Sequence, residues 1–248
     1  MLKKTLSLVA LALFTASAAF GASAMDKDVI IAGTHATYPP YEMRDENGEI
    51  AGFDIELTNL IVERLGKKIE WQDMAFDGLI PAITTNRIDI AAAGMSATAE
   101  RQKIVTFSEP YEISFSAFVM RPDNAVKAVD ELTGKVVAVQ LGTVQETYTR
   151  TLGNLEVKTF QSFDDCIREV ILERAEATLM DIPVAKRFLS AKDFQGKAII
   201  AFNKQITGAD KALAMNKNDT TLIEAVNKVI IDLKASGELE ALRNKWFK

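Results

Sequence analysis

Ile88-Asp89-Ile90-Ala91-Ala92-Ala93-Gly94-Met95-Ser96-Ala97-Thr98-Ala99-Glu100-Arg101 is the stretch on which the fold turns. Its apolar first half, bounded by turn residues, predicts a buried strand over 88–93 that stops at Gly94. Thr98 is a good N-cap and predicts a short helix with Arg101 in its first turn. A guanidinium fork and orphan helix N–H groups then meet at one strand end, and both favour a carboxylate. Far downstream a second apolar run, Ala177-Thr178-Leu179-Met180, ends in Asp181, whose charge suits an ammonium group. A cation and an anion presented from two strand ends suit a free amino acid.

Working outward, strand and helix signals alternate. Val29–Ala32 reads as a strand. Asp54 is expected to cap a helix whose apolar positions Leu57, Leu60, Ile61 and Leu65 fall at helical spacing, closed by Gly66. Ile69–Trp71 is a second strand. Asp77 opens a helix in which Pro81 falls in the first turn, where it is tolerated. With the strand over 88–93 this βαβαβ order implies a parallel sheet with ligands at the carboxyl ends of its strands. The pattern restarts with strands at Lys135–Val139, Leu155–Val157 and Ala177–Met180, helices capped by Thr143 and Ser162, and Pro183 early in a helix after Asp181.

An extended stretch over 113–121 links the two units, and a second over 211–216 precedes two closing helices, Leu222–Ala235 and Glu238–Trp246. Those helices have no sheet of their own and are expected to return to the first unit. The fold class is therefore α/β in two lobes, each a mostly parallel sheet flanked by helices, joined by a two-strand hinge. The expected boundaries are 25–113 with 211–248 for the first lobe, 118–206 for the second, and a hinge near 114–117 and 207–210. A cleft between lobes is the natural ligand site.

The first 24 residues read as a removable leader. Lys3 and Lys4 form a positive region, Leu6 to Phe20 an apolar one, and Ala22-Ser23-Ala24 an A-x-A cleavage site. The apolar run is shorter than the roughly 20 residues needed to span a bilayer. Export without an anchor, and without a cysteine at the cleavage site for lipid attachment, points to a periplasm. Cys166 is the only thiol, so no disulfide framework exists and the core must carry stability alone. Removing Lys3 and Lys4 leaves 27 basic residues against 34 acidic, which argues against nucleic acid and anionic membranes as partners. With 48% hydrophobic residues, disorder is also excluded.

At these residues the chain resembles the polar amino-acid-binding proteins of ABC importers, periplasmic solute receptors of a two-lobed type II fold. The resemblance is carried by Thr37-Tyr38-Pro39-Pro40-Tyr41-Glu42, Gly52-Phe53-Asp54-Ile55-Glu56-Leu57, Phe76-Asp77-Gly78-Leu79-Ile80-Pro81-Ala82, Gly94–Arg101, Val139-Gln140-Leu141-Gly142-Thr143 and Lys245-Trp246-Phe247. It spans the mature chain in order and looks closest to the arginine-, histidine- and glutamine-binding members. It implies that Arg101 takes the ligand α-carboxylate, helped by the backbone of Ser96 and the helix start at Thr143. It implies that Asp181 takes the α-ammonium, helped by Gly94 and the Ser96 hydroxyl. Tyr38 and Phe76 would sandwich the ligand side chain, and Met95 lies within the binding stretch. His35, Gln140 and Met180 occupy positions where many relatives carry more polar or charged residues, so side-chain selectivity stays open, with a lean towards a polar or basic amino acid. Glu42 would compensate for a missing acid if its side chain turned inward.

Other readings are weaker. Some proteins of this fold dehydrate a prephenate-type cyclic acid, but they lack the ammonium-binding aspartate present here as Asp181. No activated nucleophile, metal cluster or phosphate loop is evident, so neither catalysis, a metal nor a cofactor is expected. A signalling receptor would need a membrane helix or effector domain. Cys166, Trp71 and Trp246 read as packing residues. The expected partners are a free amino acid and an inner-membrane permease, with the chain itself monomeric.

Overall fold

The computed structural model describes residues 23–113, 115–206 and 210–247. The expected leader lies outside the described residues except for Ser23 and Ala24. Each lobe is built on a five-stranded sheet, and the two sheets share one plan. In the first, Lys68–Asp73, Val29–Thr34 and Ile90–Ala91 run parallel, and Ala214–Met215 and then Thr106–Phe107 continue the sheet. In the second, Glu156–Phe160, Val136–Gln140 and Ala177–Asp181 run parallel, with Ser116–Met120 pairing antiparallel to Ala177–Asp181 and Ile199–Lys204 beyond it. In both, the central one of the three parallel strands precedes its two parallel neighbours in the chain, so their carboxyl ends converge on one side.

Between the sheets Glu112–Ile113 pairs antiparallel with Asp210–Lys211, so the two crossings of the chain lie side by side. The closing helices, Thr220–Ser236 and Glu238–Trp246, pack on Phe53–Arg64 of the first lobe. Leu222, Val226, Ile230 and Leu233 bury the inner face of the longer one.

Several expectations need correction. The helix expected to be capped by Asp54 is capped at Gly52 and runs Phe53–Arg64, with Asp54 inside its first turn. Its carboxylate is fully buried and accepts from Gly94 N (2.7 Å) and the Tyr111 hydroxyl (2.6 Å). Both donors fall on Oδ2, and the carboxyl sits at the helix start, where negative charge is favoured. The strand expected over 88–93 is laddered only at Ile90–Ala91. Just before it, the Asp89 carboxylate accepts from Ile31 N (2.9 Å) and Lys27 Nζ (2.7 Å), so a side chain enters the pairing. Phe76–Gly78 is a 3-10 turn that leads into the helix Leu79–Thr84, which Asp77 was expected to open.

Candidate functional site

Both sheets aim strand ends at one narrow cleft between the lobes, with about 20 Å³ of free volume. From the first lobe His35, Tyr38, Glu42, Phe76, Gly94, Ser96 and Arg101 line it, and from the second Gln140, Thr143, Gln145 and Phe163, with Lys211 beside the crossing.

Thr98 caps the short helix Ala99–Gln102, its hydroxyl accepting from Arg101 N at 3.3 Å. That places the Arg101 guanidinium over the Phe76 ring, 5.3 Å from the centroid. It donates to Ser96 O at 2.8 Å and, across the cleft, to Gly142 O at 2.9 Å. Two donors are thereby committed, and a guanidinium has more to offer. Burial lowers the Arg101 pKa to about 10, which leaves it charged at neutral pH. Gly142 has φ +78, and a Cβ there would lie 3.0 Å from the Asp77 side chain, so the close approach of the lobes needs glycine at this turn. Thr143 caps the helix Val144–Thr151, accepting from Glu146 N (3.2 Å) and donating to Gln140 O (2.7 Å).

Asp181 ends its strand fully buried and makes no capping bond to the helix it precedes. Its Oδ1 accepts from Ser116 Oγ (3.0 Å) and Gln145 Nε2 (2.8 Å), and its Oδ2 from the Tyr38 hydroxyl (2.7 Å) and Lys211 Nζ (2.6 Å). The Tyr38 and Lys211 bonds cover it from the cleft, so Asp181 does not itself line the cavity. Burial, then the Asp181 charge, pushes the Tyr38 hydroxyl well above its ordinary pKa and keeps it a donor. The Tyr38 ring stacks on Tyr41 and tilts against Phe163, with centroids 5.6 and 5.0 Å apart.

His35 also spans the cleft, Nδ1 lying 2.9 Å from Met74 O and Nε2 3.1 Å from Gln161 O. Gln140 donates to the same Gln161 carbonyl at 2.8 Å. Met95 and Met180 turn away from the cleft into the cores, 1% and 0% exposed. Each sits where the chain pairs with a neighbouring strand, Met95 O accepting from Ala212 N and Met180 facing Ala117, so the side chain is left for packing.

Sequence reasoning missed Lys211, Ser116 and Gln145, and placed Glu42 only conditionally. Glu42 does turn inward and is 1% exposed. A lysine directly before the apolar run Ala212–Met215 was the available sign for Lys211. Ser116 and Gln145 reach Asp181 by pairing and helix phase, which single residues do not reveal. Among the described residues no helix is long and apolar enough to cross a membrane, and no acid–His–Cys cluster is suited to a metal.

A two-lobed molecule with charged groups on both walls of its cleft is a ligand-capturing receptor in form. Residues 30–248 match the model of the bacterial extracellular solute-binding proteins, family 3, and the chain belongs to that family. It is 34% identical over 225 residues to the arginine-binding extracellular protein ArtP of Bacillus subtilis (strain 168), covering 89% of this chain and 87% of that one. It is 30% identical over 255 residues to the histidine-binding periplasmic protein of Escherichia coli (strain K12), covering 98% and 95%. An ancestral arginine-binding protein bound to arginine superimposes with a TM-score of 0.85 at 34% identity, covering 90% and 99%. All are named as binding proteins, and the dehydratase reading is not favoured.

Proposed function

We propose that this chain is the periplasmic receptor of an ABC importer, capturing a free polar amino acid between its lobes and handing it to an inner-membrane permease. The leader is removed after Ala24 and the mature chain works as a monomer. In this reading the lobes are 25–113 with 211–248 and 118–206, with a hinge near 114–117 and 207–210, of which 114 and 207–209 lie outside the described residues. The ligand α-carboxylate meets Arg101, Ser96 and the helix start at Thr143 and Val144. Its α-ammonium meets Asp181, and its side chain lies among Phe76, Tyr38, His35 and Gln140.

The observation that carries this reading is the opposed pair itself: Arg101 from one lobe and Asp181 from the other, across one small cleft. Relatives named for arginine and histidine support an amino acid as cargo. A thermal-shift screen of the mature protein against the twenty amino acids tests it. A ligand at 100 times its dissociation constant stabilises by about 2.7 kcal/mol. Arg101→Ala should abolish the response, because losing one partner of a desolvated charge pair costs about 2–5 kcal/mol. A full response in Arg101→Ala refutes the assignment.

A further inference from the structure

Asp181 has no acceptor position to spare. A carboxylate offers about four lone-pair sites, and Ser116, Gln145, Tyr38 and Lys211 each donate to one oxygen or the other. A ligand ammonium can join only by replacing a donor. Ser116 and Gln145 belong to the same lobe as Asp181, and the Tyr38 ring is packed between Tyr41 and Phe163. Lys211 is the donor that matches, an ammonium on a flexible stem facing the same cleft.

A released Lys211, 3% exposed at its side chain, needs a second anion, since an unpaired buried charge is strongly disfavoured. Asp54 Oδ2 accepts from Gly94 and Tyr111 while its buried Oδ1 has no partner, and Glu112 faces Arg243 at 3.9 Å, but neither acid lines the cavity. Glu42 is the candidate left. It is 1% exposed, it lines the cavity beside Lys211, and its buried Oε2 has no hydrogen-bond partner.

We propose that Lys211 determines specificity by standing in for the ligand α-ammonium on Asp181 and passing to Glu42 when an amino acid takes that place, so that amino acids with cationic side chains are rejected. This rests on the reading of the cleft as an amino-acid site. Burial and the Asp54 and Asp181 charges push the Glu42 carboxyl well upward, while Lys211 draws it down. Closer pairing with Lys211 draws the carboxyl further down, so any change in its protonation on ligand binding is a release. Once the exchange is made, the ligand ammonium balances Asp181 and Lys211 balances Glu42. Among the described residues Glu42 is the only acid lining the cavity, so a guanidinium or second ammonium would find no anion.

The test is titration calorimetry of the mature protein with L-glutamine and L-arginine, in buffers of differing ionisation enthalpy. The wild type should prefer glutamine, with any linked proton released and not taken up. Lys211→Met, with Lys211→Gln as a second variant that keeps a donor, should tighten both ligands, arginine by at least about tenfold more than glutamine, because Glu42 is freed for the guanidinium. Glu42→Gln should weaken glutamine at least about tenfold. Wild-type preference for arginine, or no tightening in either lysine variant, overturns the proposal. Arg101→Ala separates the two levels. If it loses glutamine while the lysine variants gain nothing, the cleft reading stands and Lys211 is a bystander; if it binds glutamine as well as the wild type, the cleft reading itself falls.

Discussion

Lys211 and Asp181 should be strongly coupled in a double-mutant cycle on stability, independently of any ligand. Their atoms are 2.6 Å apart, and the side chains are 3% and 0% exposed. Removing one member of such a pair leaves a buried charge and typically costs about 3–5 kcal/mol. For a chain of this size that is a fall in Tm of about 6–20 °C. The two single variants should differ. Lys211→Met leaves Asp181 with the Tyr38, Ser116 and Gln145 donors, so its cost lies at the lower end. Asp181→Asn leaves the Lys211 ammonium facing a weaker acceptor and the Ser96 hydroxyl at 3.3 Å, so its cost is higher. Combining them removes both charges, and replacing a buried pair by neutral groups of similar volume is often nearly free. The double variant should therefore be more stable than the sum of the singles implies by at least about 2 kcal/mol, at the upper part of the range for contacting residues. Urea unfolding at pH 7 of the wild type, both singles and the double, followed by circular dichroism, measures this. Additivity within about 0.5 kcal/mol would refute the ion pair and everything argued from it.

Two further outcomes follow from the same neighbourhood. Burial raises Asp54 from 3.8 to about 6 and Glu112 from 4.5 to about 7, so in that window the folded state holds more protons than the unfolded one. Stability should then fall as pH rises from about 4 to about 7, and Asp54→Asn should flatten the lower part of that decline in denaturant titrations run at stepped pH. Gly94 has φ +52, and a Cβ there would lie 3.1 Å from the Tyr38 ring, so Gly94→Ala should cost about 1–2 kcal/mol and loosen the Tyr38 bond to Asp181; an unchanged urea midpoint would contradict this.

The sequence disclosed the elements with strong local signals. The Thr98, Thr143 and Ser162 hydroxyls cap the helices they were expected to cap, because capping is decided within three residues. The strands Val136–Gln140 and Ala177–Asp181 announced themselves as buried apolar runs. Ile199–Lys204 did not, being an edge strand with partly exposed, aperiodic residues whose pairing comes from Ser116–Met120. Arg101 and Asp181 were legible because charge at a strand end is unusual. Lys211 was not, since its meaning depends on Asp181, distant in the chain and brought near only by the crossing strands. Asp54 misled for the converse reason: its position suits a cap, but the helix starts one residue before it, at Phe53, and its carboxylate turns to Gly94 and Tyr111, which the local sequence does not reveal.

The saturation of Asp181 changes what a ligand can contribute to closure. Lobe closure is favoured only by contacts that are stronger in the closed arrangement than in the open one. The protein's own groups already bridge the cleft, through Tyr38 to Asp181, Arg101 to Gly142 and His35 to Gln161. Exchanging the Lys211 ammonium for a ligand ammonium replaces one ion pair by another of similar kind and leaves little net gain. On the proposed binding mode the surplus would then come from the carboxylate at Arg101, where a desolvated guanidinium would gain a full counter-charge, and from contacts of the side chain with Phe76 and the neighbouring rings. Under the proposed exchange the ammonium would act as a test of identity and the carboxylate as the source of affinity. A carboxylate ligand without an ammonium would engage Arg101 but leave Lys211 on Asp181, where the lysine stem stays in the space that the Cα and ammonium of an amino acid would otherwise fill.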